Sequence, residues 1–586
     1  MRLRPDLGPM RGEIKTLPMI AGRRSLPVSL RVLGLWLLPL AFLGLFFFYP
    51  LFSIFRLSFS PEMGSAASPI QWSDIWQPFS FTLGQALAST FLTLLVGLPA
   101  AYFFARIRFP GKGLLRGATM LPFILPTVVV AAGFNALLGP HGWVNLGLMG
   151  LFHLENPPIQ FLNTLGAILL AHVFYNTTIV TRIVGDTWAH LDLHLEQVAQ
   201  ALGANRWRVL WEVTLPLLRP VILAASLLVF LFDFTSFGVI LILGGPRFET
   251  LEVGIYIQSL QMLNLPLAGI LSIIQLLCTL AMTIAYARLG GQRFVPLAPR
   301  GNREGERPLK GGPAKVLGGA FLAFLTALLV SPLAALVLRS FTRLEANRTQ
   351  LGPVTPGLTL AYYQELFYNR LGSLFYVPPI EAARNSLVYA GITVLISVAL
   401  GFLAAYALRQ PARLNRWLDP LLMLPLGTSP VTLGLGFIIA FSTPPLDLRT
   451  LPLLLPIAYS LVALPFVVRT LQPALSSIPQ HLRQSAAVLG ASPWRVWREI
   501  DLPIVLRAAL VSATFAFTIA LGEFGATSFL ARPENPTLPI AIYRFLSLPG
   551  DLNYGQALAM STLLMALCTA GIALIERVRL PGERPF

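Results

Sequence analysis

Two acidic residues lie inside or at the end of long apolar stretches, where a charged side chain is costly. Asp233 lies within an apolar run near 221–243, and Glu523 follows the run near 504–522. A carboxylate at the centre of a membrane helix costs about 3 kcal/mol on insertion scales, so such groups usually face protein or water. We expect the two residues to border a path that favours a cationic substrate, or else to be structural carboxylates that pair or cap across helices.

Other reactive residue types form no recognisable site. Cys278 and Cys568 both lie in apolar runs, which predicts neither a disulfide framework nor a metal-ligand cluster. His172 is expected to make an interhelical hydrogen bond rather than to bind a ligand. The sequence has no Gly-x-x-x-x-Gly-Lys-Ser/Thr phosphate loop. We therefore expect a chain that is not an enzyme, hydrolyses no ATP and binds no metal or cofactor of its own.

The composition excludes a soluble globular protein. The chain of 586 residues is 55% hydrophobic and only 12% charged, and its mean hydropathy is +0.69. Soluble domains carry about 25% charged residues, so this chain has too few polar groups to cover a water-facing surface. Transmembrane helices must therefore position the acidic residues.

Twelve apolar runs are long enough to cross a bilayer, which takes about 20 residues. Backbone polar groups cannot stay unpaired in hydrocarbon, so each run is predicted to be a helix. The predicted fold class is an all-α polytopic membrane protein with about 12 transmembrane helices in two six-helix halves. The runs lie near 32–54, 85–105, 119–138, 164–184, 221–243, 267–287, 316–338, 387–408, 420–441, 451–471, 504–522 and 555–575.

The Lys and Arg residues indicate how the helices are oriented. With both termini and every second loop placed in the cytoplasm, most basic residues fall on the inner side, and the outer loop at 139–163 has none. The net charge of +17 is therefore explained by topology and by contact with anionic membrane lipid, and no nucleic-acid partner is expected.

The predicted division of the chain follows from these helices and from a Gly-, Pro- and Arg-rich stretch in its middle. That stretch is expected to be a flexible cytoplasmic linker. The first apolar run lacks the small residues of a signal-peptide cleavage site, so we expect it to remain as the first helix. The predicted segments are an N-terminal arm (1–31), a first transmembrane half (32–287), the linker (288–315), a second transmembrane half (316–577) and a C-terminal tail (578–586).

The two halves contain one sequence block twice, at an offset of 287 residues. The stretch from Gln197 to Gly203 matches the stretch from Gln484 to Gly490, and the match continues downstream. We infer that the halves arose by duplication. The number of helices before each block has the same parity, so both blocks are predicted to face the cytoplasm.

Each block is predicted to form a short helix, a turn at the glycine and a second helix closed by Leu-Pro. Its small residues allow close approach, while its Trp and Arg side chains offer contact area and charge. One block in each half indicates a partner with two equivalent sites; the alternative is a pair of interfacial helices that lie on lipid. The candidate docking residues are Gln197, Ala199, Gly203, Trp207, Arg208, Glu212, Leu215 and Pro216 in the first block, and Gln484, Ala486, Gly490, Trp494, Arg495, Glu499, Leu502 and Pro503 in the second.

The repeat also relates the two acidic residues to each other. Shifting Glu523 back by the same 287 residues gives Ser236, which lies about one helical turn after Asp233. The acids are therefore expected at similar levels in equivalent helices. The candidate residues of a translocation path are Asp233, Ser236 and Glu523.

The blocks resemble the EAA loop of permease subunits in ATP-binding-cassette (ABC) importers. That loop has the pattern Glu-Ala-Ala, three residues, Gly, nine residues, Ile, one residue and Leu-Pro. From Gly203 and from Gly490 the spacing reaches the Leu-Pro of each block. The family's leading Glu is replaced by Gln197 and Gln484, which puts in doubt a charged contact with the ATPase through that position.

This resemblance implies a type I ABC importer permease with both halves in one chain, in the plasma (inner) membrane of a bacterium. The implied partners are two copies of an ABC ATPase, which use the ATP, and a separate extracytoplasmic substrate-binding protein. The fused halves are similar to thiamine and iron(III) importers, and the segments 234–238, 243–247, 250–253 and 255–256 are most similar to the thiamine type. The segment 522–527 is also similar to a stretch of molybdate permeases. Thiamine-like or iron(III) cargo is expected.

The alternative from another class is a twelve-helix secondary transporter driven by protons or ions, since the major facilitator carriers share this plan. The loop at 106–116 lacks the Gly-x-x-x-Asp-Arg pattern that such carriers usually have there. The repeated block would also have no explanation in that class.

Overall fold

The computed structural model describes residues 28–59, 70–245, 247–290, 306–309, 311–343, 357–368, 377–410, 413–442, 448 and 451–578. Most of the predicted N-terminal arm, of the linker and of the C-terminal tail lie outside these residues.

Helices cover all the predicted spans. Within the described residues, nine helices are long and apolar enough to cross a membrane, and a bent pair counted as one span makes ten. The helices at the twelve predicted runs are α1 (Leu33–Ser58), α2 (Trp72–Arg106), α3 (Thr127–Leu138), α4 (Leu165–His190), α5 (Arg206–Phe234), α6 (Leu265–Arg288), α7 (Gly312–Ser340), α8 (Pro379–Arg409), α9 (Pro430–Ala440), α10 (Leu454–Ser476), α11 (Trp494–Gly522) and α12 (Asp551–Val578).

Two of the twelve runs are broken at proline. The short helix Leu121–Ile124 is separated from α3 by Pro126, and Asn415–Gly427 meets α9 at an angle of 97° just before Pro430. Proline lacks the backbone N–H that a continuous helix needs, and it disfavours helical backbone in the preceding residue. Both breaks leave irregular backbone between the two halves, at the middle of the molecule.

Shorter helices and strands occupy the loops. The helices are Lys112–Ala118, Trp143–Phe152, Leu193–Ala201, Leu251–Tyr256, Ala361–Gln364, Gln480–Val488, Gly525–Leu530 and Leu538–Ser547. Strand β1 (Ile107–Arg108) is parallel to β2 (Arg307–Pro308), and β3 (Thr342–Arg343) is antiparallel to β4 (Gly357–Leu358).

The end of the predicted linker is held against the first half. Strand β2 belongs to this linker, and Lys112 Nζ lies 2.7 Å from Glu306 Oε1 beside it. The expectation of a flexible linker is therefore corrected for residues 306–308, because strand pairing and an ion pair fasten them to the loop after α2.

The two halves pack alike. Helix α4 lies along α2, and α10 lies along α8. A glycine permits each close approach: a Cβ on Gly97 would stand 2.7 Å from Val180 Cβ, and one on Gly401 would stand 2.5 Å from Val467 Cγ1. The two halves that are related in sequence therefore also pack their equivalent helices in the same way.

The first helix of each half packs on the other half. Helix α1 lies against α8 and α9, whereas α7 lies against α3. A Cβ on Gly133 of α3 would stand 2.9 Å from the carbonyl oxygen of Pro332 in α7. A Cβ on Gly436 of α9 would likewise stand 3.0 Å from Pro50 Cβ in α1. The halves therefore exchange contacts through their first helices, which also pack on their own halves, α1 on α6 and α7 on α12.

Candidate functional site

The first repeated block forms a helix, a turn and a second helix. Helix Leu193–Ala201 ends at a turn in which Gly203 has a φ of 92°, a backbone conformation that glycine adopts without strain. The Ala204 N–H donates to the Ala199 carbonyl at 3.0 Å and so closes the turn. Asn205 Oδ1 accepts from the Arg208 N–H at 2.8 Å and caps the next helix.

The second block repeats this geometry. Gly490 has a φ of 81° after helix Gln480–Val488, and the Ala491 N–H donates to the Ala486 carbonyl at 3.0 Å. Ser492 Oγ accepts from the Arg495 N–H at 3.3 Å, in the place of Asn205. The equivalence therefore includes the bonds that shape each turn.

The second helix of each block does not end at Leu-Pro, as the sequence suggested. It passes through one wide π turn, Leu210–Thr214 or Trp497–Asp501, and continues as α5 or α11. The wider turn accommodates the missing N–H of Pro216 and Pro503 without a break. The second helix of each block is therefore continuous with a membrane-spanning helix.

Large side chains of both blocks are exposed. Trp207 is 71% exposed and Leu202 84%, and in the second block Trp494 is 66% and Leu489 86% exposed. Isolated exposed apolar residues are common, but clustered ones mark interaction surfaces.

Several other candidate docking residues also face outward. Gln197 and Gln484 are exposed at the positions of the family's Glu. An exposed ion pair of 3.0 Å joins Arg208 to Glu212, and another of 3.0 Å joins Arg495 to Glu499. Ala199, Ala486, Leu215 and Leu502 are half-buried, whereas Pro216 and Pro503 are exposed.

A cavity of about 460 Å³ lies between the two halves, beside the broken helices. Asp233, Ser236 and Glu523 all line it, as do His172 and Glu252. Among the described residues that line the cavity there is no Lys or Arg. The candidate path residues are therefore neighbours in space, around a single acidic space.

Asp233 is fully buried and only partly paired. Its Oδ1 accepts from Asn176 Nδ2 at 2.7 Å and lies 3.4 Å from His172 Nδ1. Its Oδ2 has no hydrogen-bond partner among the described residues. His172 itself contacts Ser89 Oγ at 2.9 Å and Ser236 Oγ at 2.8 Å, so it links helices as the sequence predicted.

Glu523 acts as a helix cap. Its Oε1 accepts from the Ala526 N–H at 2.9 Å, and its Oε2 accepts from the N–H and hydroxyl of Thr527 at 3.0 and 2.7 Å. This is the structural alternative that the sequence left open. Glu523 nevertheless lines the cavity, so the capping contacts do not remove it from the candidate path.

Glu252 is a cavity residue that the sequence analysis did not identify as a path residue. It is fully buried, and its carboxylate accepts from Gln275 Nε2 at 2.9 Å and from Ser429 Oγ at 2.6 Å. Ser429 belongs to the second half, so this bond crosses between the halves. Glu252 lies outside the predicted spans, and only its place in a segment similar to thiamine importers could have marked it.

Equivalent aromatic residues of the two halves meet beside the cavity. The rings of Phe237 and Phe524 stack with centroids 5.5 Å apart, and they are related by the offset of the repeat. Tyr256 and Tyr543, related in the same way, share a side-chain hydrogen bond. The halves therefore face each other across a pseudo-twofold axis that passes through this region.

Comparison with known proteins identifies the family. A family model described as "Binding-protein-dependent transport system inner membrane component" matches residues 93–290 and 397–579. A "Probable ABC transporter permease protein y4fN" of Sinorhizobium fredii is 29% identical over 524 residues, 88% of each chain.

Relatives with a named cargo match over the same length. A "Thiamine transport system permease protein ThiP" of Brucella abortus is 27% identical over 529 residues, 87% of this chain and 89% of the relative. The protein of that name from Escherichia coli is 24% identical over 527 residues, 87% and 90% of the two chains. These matches exclude the secondary-transporter alternative. The chain belongs to the family of binding-protein-dependent transport system inner membrane components, as an ABC importer permease with two copies of the family domain fused in one polypeptide.

Proposed function

We propose that this permease imports thiamine or a similar aromatic organic cation between its two halves, with energy from two ATPase subunits that dock on the repeated blocks. A separate binding protein delivers the cargo from outside. Both termini are placed in the cytoplasm, and the membrane is the inner membrane of a bacterium. The observation that carries the choice of cargo is the acidic cavity between the halves.

The chemistry of the cavity supports a cation. Asp233, Glu252 and Glu523 surround it without Lys or Arg among its described lining. Aromatic side chains, including Tyr175, complete the lining and suit a flat, positively charged ring through stacking and cation–π contacts. A volume of about 460 Å³ also lies within the range usual for small-molecule sites.

The curated relatives favour thiamine over iron(III). Several of them are named for thiamine transport, although their identity to this chain is modest. The iron(III) alternative rests only on the fused arrangement of halves. We therefore take thiamine as the first cargo to test.

Docking on the repeated blocks is supported by their shape. Each presents exposed Trp and Leu side chains, and each continues without a break into a helix that borders the cavity. A partner that moves the second helix of a block therefore moves the wall of the cavity. Two equivalent blocks suit two copies of one ATPase.

Uptake by the reconstituted importer tests the proposal. Vesicles that contain the permease with its ATPase and binding protein are expected to accumulate labelled thiamine only with ATP inside. Asp233→Asn keeps the shape of the side chain but removes its charge, and we expect about tenfold slower thiamine uptake, equivalent to about 1.4 kcal/mol. Glu534→Gln removes an exposed acid away from the cavity and serves as the matched control.

Two results would contradict the proposed function. Thiamine uptake that is unchanged in Asp233→Asn, and in its double variant with Glu252→Gln, would refute a cationic path at this cavity. Uptake that needs a proton gradient rather than ATP would refute the proposed energy source.

A further inference from the structure

Each repeated block carries a partly buried ion pair beside its docking surface, and the two pairs have opposite polarity. In the first block, Glu196 Oε1 lies 2.9 Å from Arg106 Nη2 at the end of α2 and accepts from Thr214 Oγ1 at 3.2 Å. In the second block, Arg483 Nε lies 2.8 Å from Asp501 Oδ1. We call these two sets of residues, Glu196 with Arg106 and Thr214, and Arg483 with Asp501, the loop clasps.

The clasps occupy equivalent positions. The offset of 287 residues relates Glu196 to Arg483 and Thr214 to Asp501. In the first half, Glu196 on the short helix contacts the Thr214 hydroxyl and Arg106. In the second half, Arg483 on the short helix contacts Asp501. The identities have changed, but an attractive contact has been kept at the same place.

An arginine ends the helix that packs beside the clasp in both halves. Arg106 ends α2, and Arg409 ends the equivalent helix α8, where it interacts electrostatically with both Arg483 and Asp501. In the second half, Asp501 therefore contacts Arg483 and also interacts electrostatically with Arg409. In the first half, Glu196 contacts Arg106, and Arg307 is a further positive charge that acts on Arg106.

The clasps are partly withdrawn from water, which makes them more than surface ion pairs. Side-chain exposure is 7% for Arg106 and 17% for Glu196, and 26% for Arg483 and 13% for Asp501. Removing one partner of such a pair leaves an uncompensated charge, which costs more than the loss of an exposed pair. Arg106 Nε and Nη1 have no hydrogen-bond partner in the part of the chain that the structure describes, so its charge depends mainly on Glu196.

The position of the clasps indicates what they do. Each joins the short helix that precedes the glycine turn to the π turn at the base of α5 or α11. A Cβ placed on Gly203 or Gly490 would meet no atom of the described residues within 4 Å, so no side-chain packing at the glycine holds the short helix against the spanning helix. Backbone hydrogen bonds close the turn, and the clasp adds a side-chain contact between the short helix and the base of the spanning helix.

We propose that the loop clasps are positioning contacts that make each docking block move as one body with its spanning helix, so that ATPase closure is transmitted to the cavity. This rests on the proposed docking of ATPase subunits at the blocks. Glu196 and Arg483 act through the helix that carries them and not by touching the ATPase.

The residues of the second clasp suggest a compensating substitution for a damaging variant of the first clasp. Glu196→Arg alone places two arginines together, and we expect it to lower the stimulation of ATPase activity by loaded binding protein about fivefold or more, within the usual range of coupling energies. Glu196→Arg with Thr214→Asp recreates the second half's combination of one acid with an arginine on the short helix and an arginine at the end of the neighbouring helix, and it is expected to restore most of the stimulation. Asp419→Ala, which breaks an exposed pair with Arg469 on the same predicted side, is the matched control and should leave stimulation unchanged.

Two readouts separate this inference from the proposed function. Hydrogen exchange of residues 193–205 in the permease alone, in nanodiscs, is expected to speed up in Glu196→Arg and to recover in the double variant, whether or not an ATPase binds. Stimulation by thiamine-loaded binding protein is then measured at equal yield of the permease–ATPase complex. A loss of stimulation at equal yield is not explained by instability of the variant.

Each outcome decides one of the two proposals. If the wild-type chain retains no ATPase while exchange responds as expected, the clasp stands as a contact that orders the block and the docking proposal fails. Normal stimulation in Glu196→Arg would overturn the clasp as a coupling contact. Failure of the double variant to recover either readout would overturn the equivalence of the two clasps.

Discussion

At the residue scale, Glu523 shows how one carboxylate serves both stability and the cavity. It accepts from two backbone N–H groups and one hydroxyl at the start of Gly525–Leu530. Glu523→Ala leaves these donors unpaired in a buried site, and we expect it to lower the free energy of unfolding by about 1–2 kcal/mol. Glu523→Gln keeps one acceptor and should lose less. Thermal unfolding of the purified permease in detergent measures the order of the two variants.

The control for this prediction is Glu534→Ala, which removes an exposed acid in the next loop. A surface change of this kind is expected to stay within about 0.5 kcal/mol of the wild type. Equal unfolding midpoints for Glu523→Ala and Glu534→Ala would show that the cap contributes little.

At the element scale, the glycine turns set the shape of the docking blocks. Gly203 and Gly490 have positive φ with open space around them. A larger side chain at either position would therefore strain the backbone but would not clash with a neighbouring residue. Asn tolerates this conformation whereas Val does not. We expect Gly203→Val to weaken ATPase binding about fivefold, from about 1 kcal/mol of strain, and Gly203→Asn to weaken it less. Titration of the ATPase onto the permease in nanodiscs gives both affinities.

Gly550 provides the matched control for this prediction. It also has a positive φ and open space, but it lies in a loop on the predicted outer side. Gly550→Val should strain the chain similarly and leave ATPase affinity unchanged. An equal loss of affinity in Gly550→Val would mean that the effect in Gly203→Val is general destabilisation.

The same scale shows what the sequence could predict. Hydrophobic runs located a helix at each of the twelve predicted positions, and nine or ten of these described helices are long and apolar enough to cross a membrane. The repeat located both blocks with their glycine turns, because these are local signals. The break before α9 and the π turns depend on how proline is accommodated, which composition does not specify. Glu252 was missed because its partner Ser429 is distant in sequence, and the exchange of α1 and α7 was missed because hydrophobic periodicity does not name a packing partner.

At the scale of the whole molecule, the two halves are bound to each other by exchanged helices and by a pseudo-twofold interface. Trp36 in α1 donates from Nε1 to Oδ1 of Asn415 at 3.0 Å, and Asn415 Nδ2 donates in turn to the carbonyls at the end of α8. Phe237 and Phe524 stack across the axis. The linker is thus only one of several connections between the halves.

This arrangement predicts that the halves assemble even when the chain is cut in the linker. We expect residues 1–295, carrying an affinity tag, to co-purify with residues 296–586 when both are expressed together, because α1 packs on α8 and α9 of the second half and α7 packs on α3 of the first. Trp36→Ala should lower the yield of the second fragment several-fold. The substitution leaves a cavity at a fully buried position and removes the donor to the side-chain Oδ1 of Asn415. Trp72→Ala, at a side chain that is 71% exposed, is the control and should leave the yield unchanged. Fragments that purify separately in stable form would contradict the exchange and would make the covalent linker the element that holds the halves together.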